Sequence, residues 1–110
     1  MQVANRAVDV AIRFPRDLHT LWQEYEFGIG GRKAAKLFTA AERGRVKYKY
    51  HRRKVVWDQV ALMIRAGHTA QTAIDQIYEV YGGGANRRSV TRIINQMRLD
   101  KQNGGDPLLV

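Results

Sequence analysis

Val46-Lys47-Tyr48-Lys49-Tyr50-His51-Arg52-Arg53-Lys54-Val55-Val56-Trp57-Asp58-Gln59-Val60-Ala61-Leu62-Met63-Ile64-Arg65-Ala66 is the stretch on which the fold turns. Val46, Tyr50, Trp57, Val60/Ala61 and Ile64 recur at the spacing of one helical face, and Gly67 stops the pattern. Lys47, Lys49, Arg52 and Lys54 fall off that face. The spacing predicts a long helix that buries one side and offers a cationic flank along its N-terminal half.

Working outward, Thr39 with Glu42 three residues on has the capping-box pattern, and Gly44 weakens helix just after it. The long helix therefore starts either at Thr39 with a flaw or at Arg45. Lys33 to Phe38 reads as a short helix or a single turn. Upstream, Pro15 suits a first helical position and Leu18, Leu21, Trp22 and Tyr25 follow at helical spacing. Gly28 ends that helix, and Gly28-Ile29-Gly30-Gly31 makes a turn. Residues 1–14 alternate weakly through Val8, Val10, Ile12 and Phe14, as an extended arm or short strand would.

Downstream, Thr69 caps a fourth helix with Ala73, Ile74, Ile77, Tyr78 and Tyr81 inside. Gly82-Gly83-Gly84 breaks it. A fifth helix, capped by Asn86 or Ser89, turns Val90, Ile93, Ile94 and Met97 inward. Its outward residues are Arg87, Arg88, Thr91, Arg92, Asn95, Gln96 and Arg98. Residues 102–110 read as a disordered tail. The expected fold is all-α: a compact bundle of four to five helices over 15–101, with a helix-turn-helix-like C-terminal pair.

Charge is concentrated. Residues 32–54 hold ten Lys/Arg against the single acid Glu42, a net +9 that equals the formal charge of the whole 110-residue chain. The remainder sums to zero. A chain neutral elsewhere and this cationic in one stretch points to a polyanionic partner. A solvated basic face kept for solubility is the plain alternative, but such charge is usually spread and mixed in sign. The absence of cysteine removes disulfides, thiol nucleophiles and cysteine-containing zinc sites. His19, His51 and His68 stand far apart without carboxylates at ligand spacing, so no metal or other cofactor is expected. No apolar run approaches ~18 residues, and Asp9 and Arg13 interrupt the N-terminus, so neither a membrane span nor a secretory signal is expected.

Two cationic surfaces emerge. One runs through Arg43, Arg45, Lys47, Lys49, Arg52, Arg53 and Lys54, suited to neutralising phosphates along a duplex. Tyr48 lies off the apolar stripe and is a candidate to stack on a base, whereas Tyr50, Trp22 and Trp57 read as core. The other lies on the last helix, where Arg87, Arg88, Arg92, Asn95 and Gln96 suit base-edge reading. Two helices joined by a glycine loop are also common in any small bundle, so that layout alone leaves both readings open. The acids are dispersed, and Gly82-Gly83-Gly84 lacks the lysine spacing and preceding strand of a phosphate-binding loop. Catalysis is not expected. A small basic ribonuclease built around His51 is the enzymatic alternative.

The run Leu18-His19-Thr20-Leu21-Trp22-Gln23-Glu24-Tyr25-Glu26-Phe27-Gly28-Ile29-Gly30-Gly31 resembles the opening of a DNA-binding domain family. That family is the C-terminal domain of the yeast transcriptional activator of glycolytic genes, also found in proteins of tyrosine-recombinase mobile elements. Tyr50-His51-Arg52-Arg53-Lys54-Val55-Val56-Trp57 is similar to its second block. Arg65-Ala66-Gly67-His68-Thr69-Ala70, with Ala73-Ile74-Asp75 and Ser89-Val90-Thr91, is similar to versions outside the yeasts. The likeness covers roughly Leu18 to Asp100. Many members carry a Trp-Arg pair where this chain has Thr39 to Arg45, leaving Arg43 and Arg45 as the cations in its place. The resemblance implies an all-helical domain for sequence-directed binding to double-stranded DNA, in a transcription factor or mobile-element-derived protein of the nucleus. It points to Arg52, Arg53 and Lys54 as contacts, with Trp22 and Trp57 as core supports. RNA is the alternative partner, and oligomeric state is left open.

Overall fold

A computed structural model describes residues 17–82 and 89–104. The arm over 1–14, Pro15, most of the glycine turn with Arg87 and Arg88, and the tail from 105 on lie outside the described residues. The fold is all-α. Five helices and one 3₁₀ turn follow in order: α1 (Leu18–Glu26), the turn (Ala35–Leu37), α2 (Ala40–Arg45), α3 (Lys47–Arg65), α4 (Ala70–Tyr81) and α5 (Val90–Gln102).

Local chemistry sets the boundaries. Helix α1 begins at Leu18 because Asp17 caps it, its carboxylate accepting from the Thr20 amide at 2.7 Å. It ends where Gly28 takes φ +79°. A Cβ at Gly28 would lie 2.1 Å from the Arg32 carbonyl oxygen, so the turn into the basic segment requires glycine on two counts. Gly28→Ala should destabilise the fold by about 2 kcal/mol or more, read as a shift in the urea midpoint. Thr39 and Glu42 form the capping box of α2, and Thr69 and Thr72 form that of α4. Ser89 caps α5, accepting from the Arg92 amide. The flaw expected near Gly44 is a break at Val46, whose φ of −121° and ψ of 34° separate α2 from α3.

Helix α3 is the spine, with α1, α2, α4 and α5 all packed on it, and α4 and α5 also packed on each other. One cluster forms the core. It takes Leu18, Leu21 and Trp22 from α1, Phe38 after the 3₁₀ turn, and Tyr50, Val56, Trp57, Val60 and Met63 from α3. Ile74, Ile77, Tyr78 and Tyr81 of α4 and Val90, Ile93, Ile94 and Met97 of α5 complete it. Trp57 is fully buried and donates from Nε1 to the Leu21 carbonyl at 2.8 Å. Its ring stacks on Tyr25 at 5.1 Å between centroids and meets Tyr50 edge-on at 5.3 Å. Burial pushes the Tyr25 phenol above its ordinary pKa.

The expected inner faces of α1, α4 and α5 are the buried ones. That of α3 differs in detail. Ile64 is exposed, while Val56, Gln59 and Met63 are buried. A helix contacted on several sides buries a wider arc than a single stripe, so residues beside the stripe go inside with it.

Candidate nucleic-acid interface

Several cations of the basic stretch have acidic partners. Arg53 is 5 % exposed, and its Nη1 lies 2.8 Å from both carboxylate oxygens of buried Glu24 on α1. Its expected place among phosphate contacts is therefore corrected: Arg53 clamps α1 to α3 from inside. It stands three residues after Tyr50 and four before Trp57, in the middle of the buried stripe, and the pair is satisfied there by a carboxylate buried with it. Lys33 pairs with Glu42 and Lys36 with Glu26, at 2.8 and 2.6 Å. Lys54 reaches Asp58 one turn along α3 at 2.6 Å, and this hydrogen bond holds its ammonium above the ordinary lysine pKa.

The Glu42 carboxylate accepts from Lys33 Nζ and from the Thr39 amide, which together hold it below the ordinary glutamate pKa. A lowered folded pKa stabilises above the unfolded value of 4.5 and loses that contribution as pH falls below it. The protection of the Thr39 and Glu42 amides, relative to their intrinsic exchange rates, should therefore fall as pH drops below the ordinary glutamate range, before the core opens.

Arg43, Arg45, Lys47 and Lys54 are exposed, and Lys49 and Arg52 are half-buried. The Arg43 guanidinium sits over the Tyr50 ring, 5.9 Å from its centroid, so a core aromatic props up a surface cation. Tyr48 is 83 % exposed at the start of α3. On α5, Thr91, Arg92, Asn95 and Arg98 are exposed, while Gln96 is half-buried and donates to Asp100 at 3.0 Å. Asp100 also accepts from Tyr81 at 2.9 Å, so Gln96 belongs to an α4–α5 bracket rather than to the outward face where it was expected. Across the helix interface, Arg52 Nη2 donates to Asn95 Oδ1 at 2.8 Å. The two cationic surfaces read separately from the sequence thus touch.

Two clefts lie along α3, one of them reaching Asn95. One of about 640 Å³ lies between α3 and α5, lined by His51, Lys54, Val55, Asp58, Asn95, Arg98, Leu99, Lys101 and Gln102. The other, about 320 Å³, is lined by Ala40, Arg43, Gly44, Lys47, Tyr50, His51 and Lys54. His51 and Lys54 line both, so the two clefts lie side by side and together make a track from α2 across α3 to the end of α5. Its cations are Arg43, Lys47, Lys54, Arg98 and Lys101, and its one acid, Asp58, already faces Lys54. Arg98, Lys101 and His51 were not among the contacts expected from sequence. Arg98 follows Asn95 by three residues on the exposed side of α5, a spacing that could have marked it.

Among the described residues no group of three or more His, Asp or Glu gathers as a metal site, and no helix is long and apolar enough to cross a membrane. No protein-family model, curated protein or solved structure matches this chain.

Proposed function

We propose that this chain is a module for binding double-stranded DNA, acting in a transcription factor or a mobile-element-derived protein of the nucleus. The observation that carries the reading is the track of two adjacent clefts, which gathers cations from α2, α3 and α5 around one already-paired acid. Cations in a concave strip focus potential toward a polyanion, and phosphate contacts of this kind supply most of non-specific affinity. Hydrogen-bonding side chains on the exposed face of α5, beside that strip, are of the types that read base edges. The resemblance of the Leu18–Gly31 and Tyr50–Trp57 blocks to the glycolytic-activator DNA-binding family points the same way.

Selection from randomised duplex DNA at about 150 mM salt, with sequencing of the retained pool, tests the reading. An enriched motif that survives competitor DNA supports it, and no retention of duplex overturns it. The exposed Tyr48 ring favours a second reading, single-stranded or structured RNA, since an exposed aromatic stacks readily on unpaired bases. RNA that outcompetes duplex, with the advantage lost in Tyr48→Ala, would establish that alternative. RNA cleaved during the incubation, and spared by His51→Ala, would instead establish a ribonuclease.

The track's acid gives a gain-of-affinity prediction. Asp58→Asn removes its single negative charge and frees Lys54, so affinity for duplex should rise roughly three- to tenfold at low salt. Fluorescence anisotropy with a labelled duplex measures it.

A further inference from the structure

We propose that Arg52 and Asn95 form one guanine-reading unit, in which Asn95 positions the Arg52 guanidinium. The inference rests on the duplex-DNA reading above and deepens it by naming the base. Three observations carry it. Arg52 Nη2 donates to Asn95 Oδ1 at 2.8 Å across the α3–α5 interface, and the bond is exposed. Its neighbours Arg53 and Lys54 each face a carboxylate, Glu24 and Asp58, whereas the side-chain partner of Arg52 is a neutral amide. Asn95 also lines the cleft that Lys54, Arg98 and Lys101 furnish with cations, so the unit stands at the edge of a surface suited to flanking phosphates.

The chemistry of the pair selects the base. An arginine held by a carboxylate is neutralised and has its fork occupied, while one held by an amide oxygen keeps its full charge and its remaining donors. The same bond occupies one lone pair of the Asn95 oxygen and leaves its amide N–H groups as donors. Reading adenine bidentately needs that oxygen to accept from the adenine amino group while the amide donates to N7. With the oxygen engaged by Arg52, the pair offers donors from both residues. A surface on which donors predominate matches guanine, whose major-groove edge presents two acceptors, O6 and N7, better than it matches the amino groups of adenine and cytosine. Bridging two helices also fixes the guanidinium before binding, which lowers the ordering cost of the contact.

The test begins with the site enriched from randomised duplex. Each guanine in it is replaced in turn by 7-deazaguanine, which lacks the N7 acceptor, and by inosine, which keeps N7 and O6. At one position 7-deazaguanine should weaken wild-type binding by about tenfold or more while inosine leaves it nearly unchanged. In Arg52→Ala and Asn95→Ala that sensitivity should disappear. Asn95→Ala should also reduce the preference for guanine over adenine there by about five- to fiftyfold, and leave the salt slope as it was because no charge is removed. Full sensitivity to 7-deazaguanine in both variants would overturn the proposal. So would a wild-type protein that binds duplex with no 7-deazaguanine-sensitive position, with the duplex reading left standing. Failure to bind any duplex would overturn both. The wild-type arm alone can overturn the proposal even where a variant fails to fold, and Arg52→Lys, which lacks the planar fork, should lose the same sensitivity.

Discussion

Arg53→Ala should cost about 3–5 kcal/mol of folding stability, because it leaves the Glu24 carboxylate buried without its cation. Set against a total of about 5–15 kcal/mol for a domain, that is a third or more of the margin. Glu24→Ala should cost a similar amount for the converse reason. The double replacement Glu24→Leu with Arg53→Met removes both charges and keeps the volume, so much of the loss should return. Urea midpoints for the wild type and the three variants measure these changes. The result also separates two roles for the residue. An arginine that served the polyanion would leave stability nearly unchanged when removed and would flatten the salt dependence of binding. A loss below about 1 kcal/mol for Arg53→Ala would put it back on the surface.

The same residue explains how much of the molecule was legible beforehand. Helix number, order and most inner faces follow from apolar spacing and from caps, since Thr39, Thr69 and Ser89 each sit one residue before the helix they begin. Spacing alone treats every arginine as a surface residue. The i, i+3, i+7 spacing of Tyr50, Arg53 and Trp57 did put Arg53 on the stripe, but nothing in it shows that Glu24, three residues after Leu21, meets it from α1. The ion pair depends on two helices meeting, and that meeting is tertiary. The site divides in the same way. Lys47, Lys49, Arg52 and Lys54 stand exposed or half-buried as their off-stripe positions required, and Tyr50, Trp22 and Trp57 went to the core. Gln96 was misplaced because its bracket to Asp100 and Tyr81 involves a second helix. The track itself was invisible because its halves come from segments more than forty residues apart, as the Arg52–Asn95 bond records.

Those halves act together in the reading proposed here, and that has a large consequence. Changing Arg43, Lys47, Arg98 and Lys101 together to glutamine should lower duplex affinity on the order of a thousandfold at about 0.15 M salt. The magnitude follows from counterion release, in which each phosphate contact contributes about 0.9 to the log–log salt slope and so roughly fivefold at that concentration relative to 1 M. If about six phosphates are engaged, the slope should fall from about −5 to about −2. All four side chains are exposed, so folding stability should change little. Lys33→Gln with Lys36→Gln is the control, because those lysines are already paired with Glu42 and Glu26; the slope should move by less than about 1 unit. Splitting the set shows whether the track is used along its whole length. The α2–α3 pair and the α5 pair should each remove about 2 units. A slope altered by the first pair alone would confine the polyanion to α2 and α3. A slope unmoved by all four would remove the track as the binding surface, and Arg45, Lys49 and Arg92 would be the cations to change next.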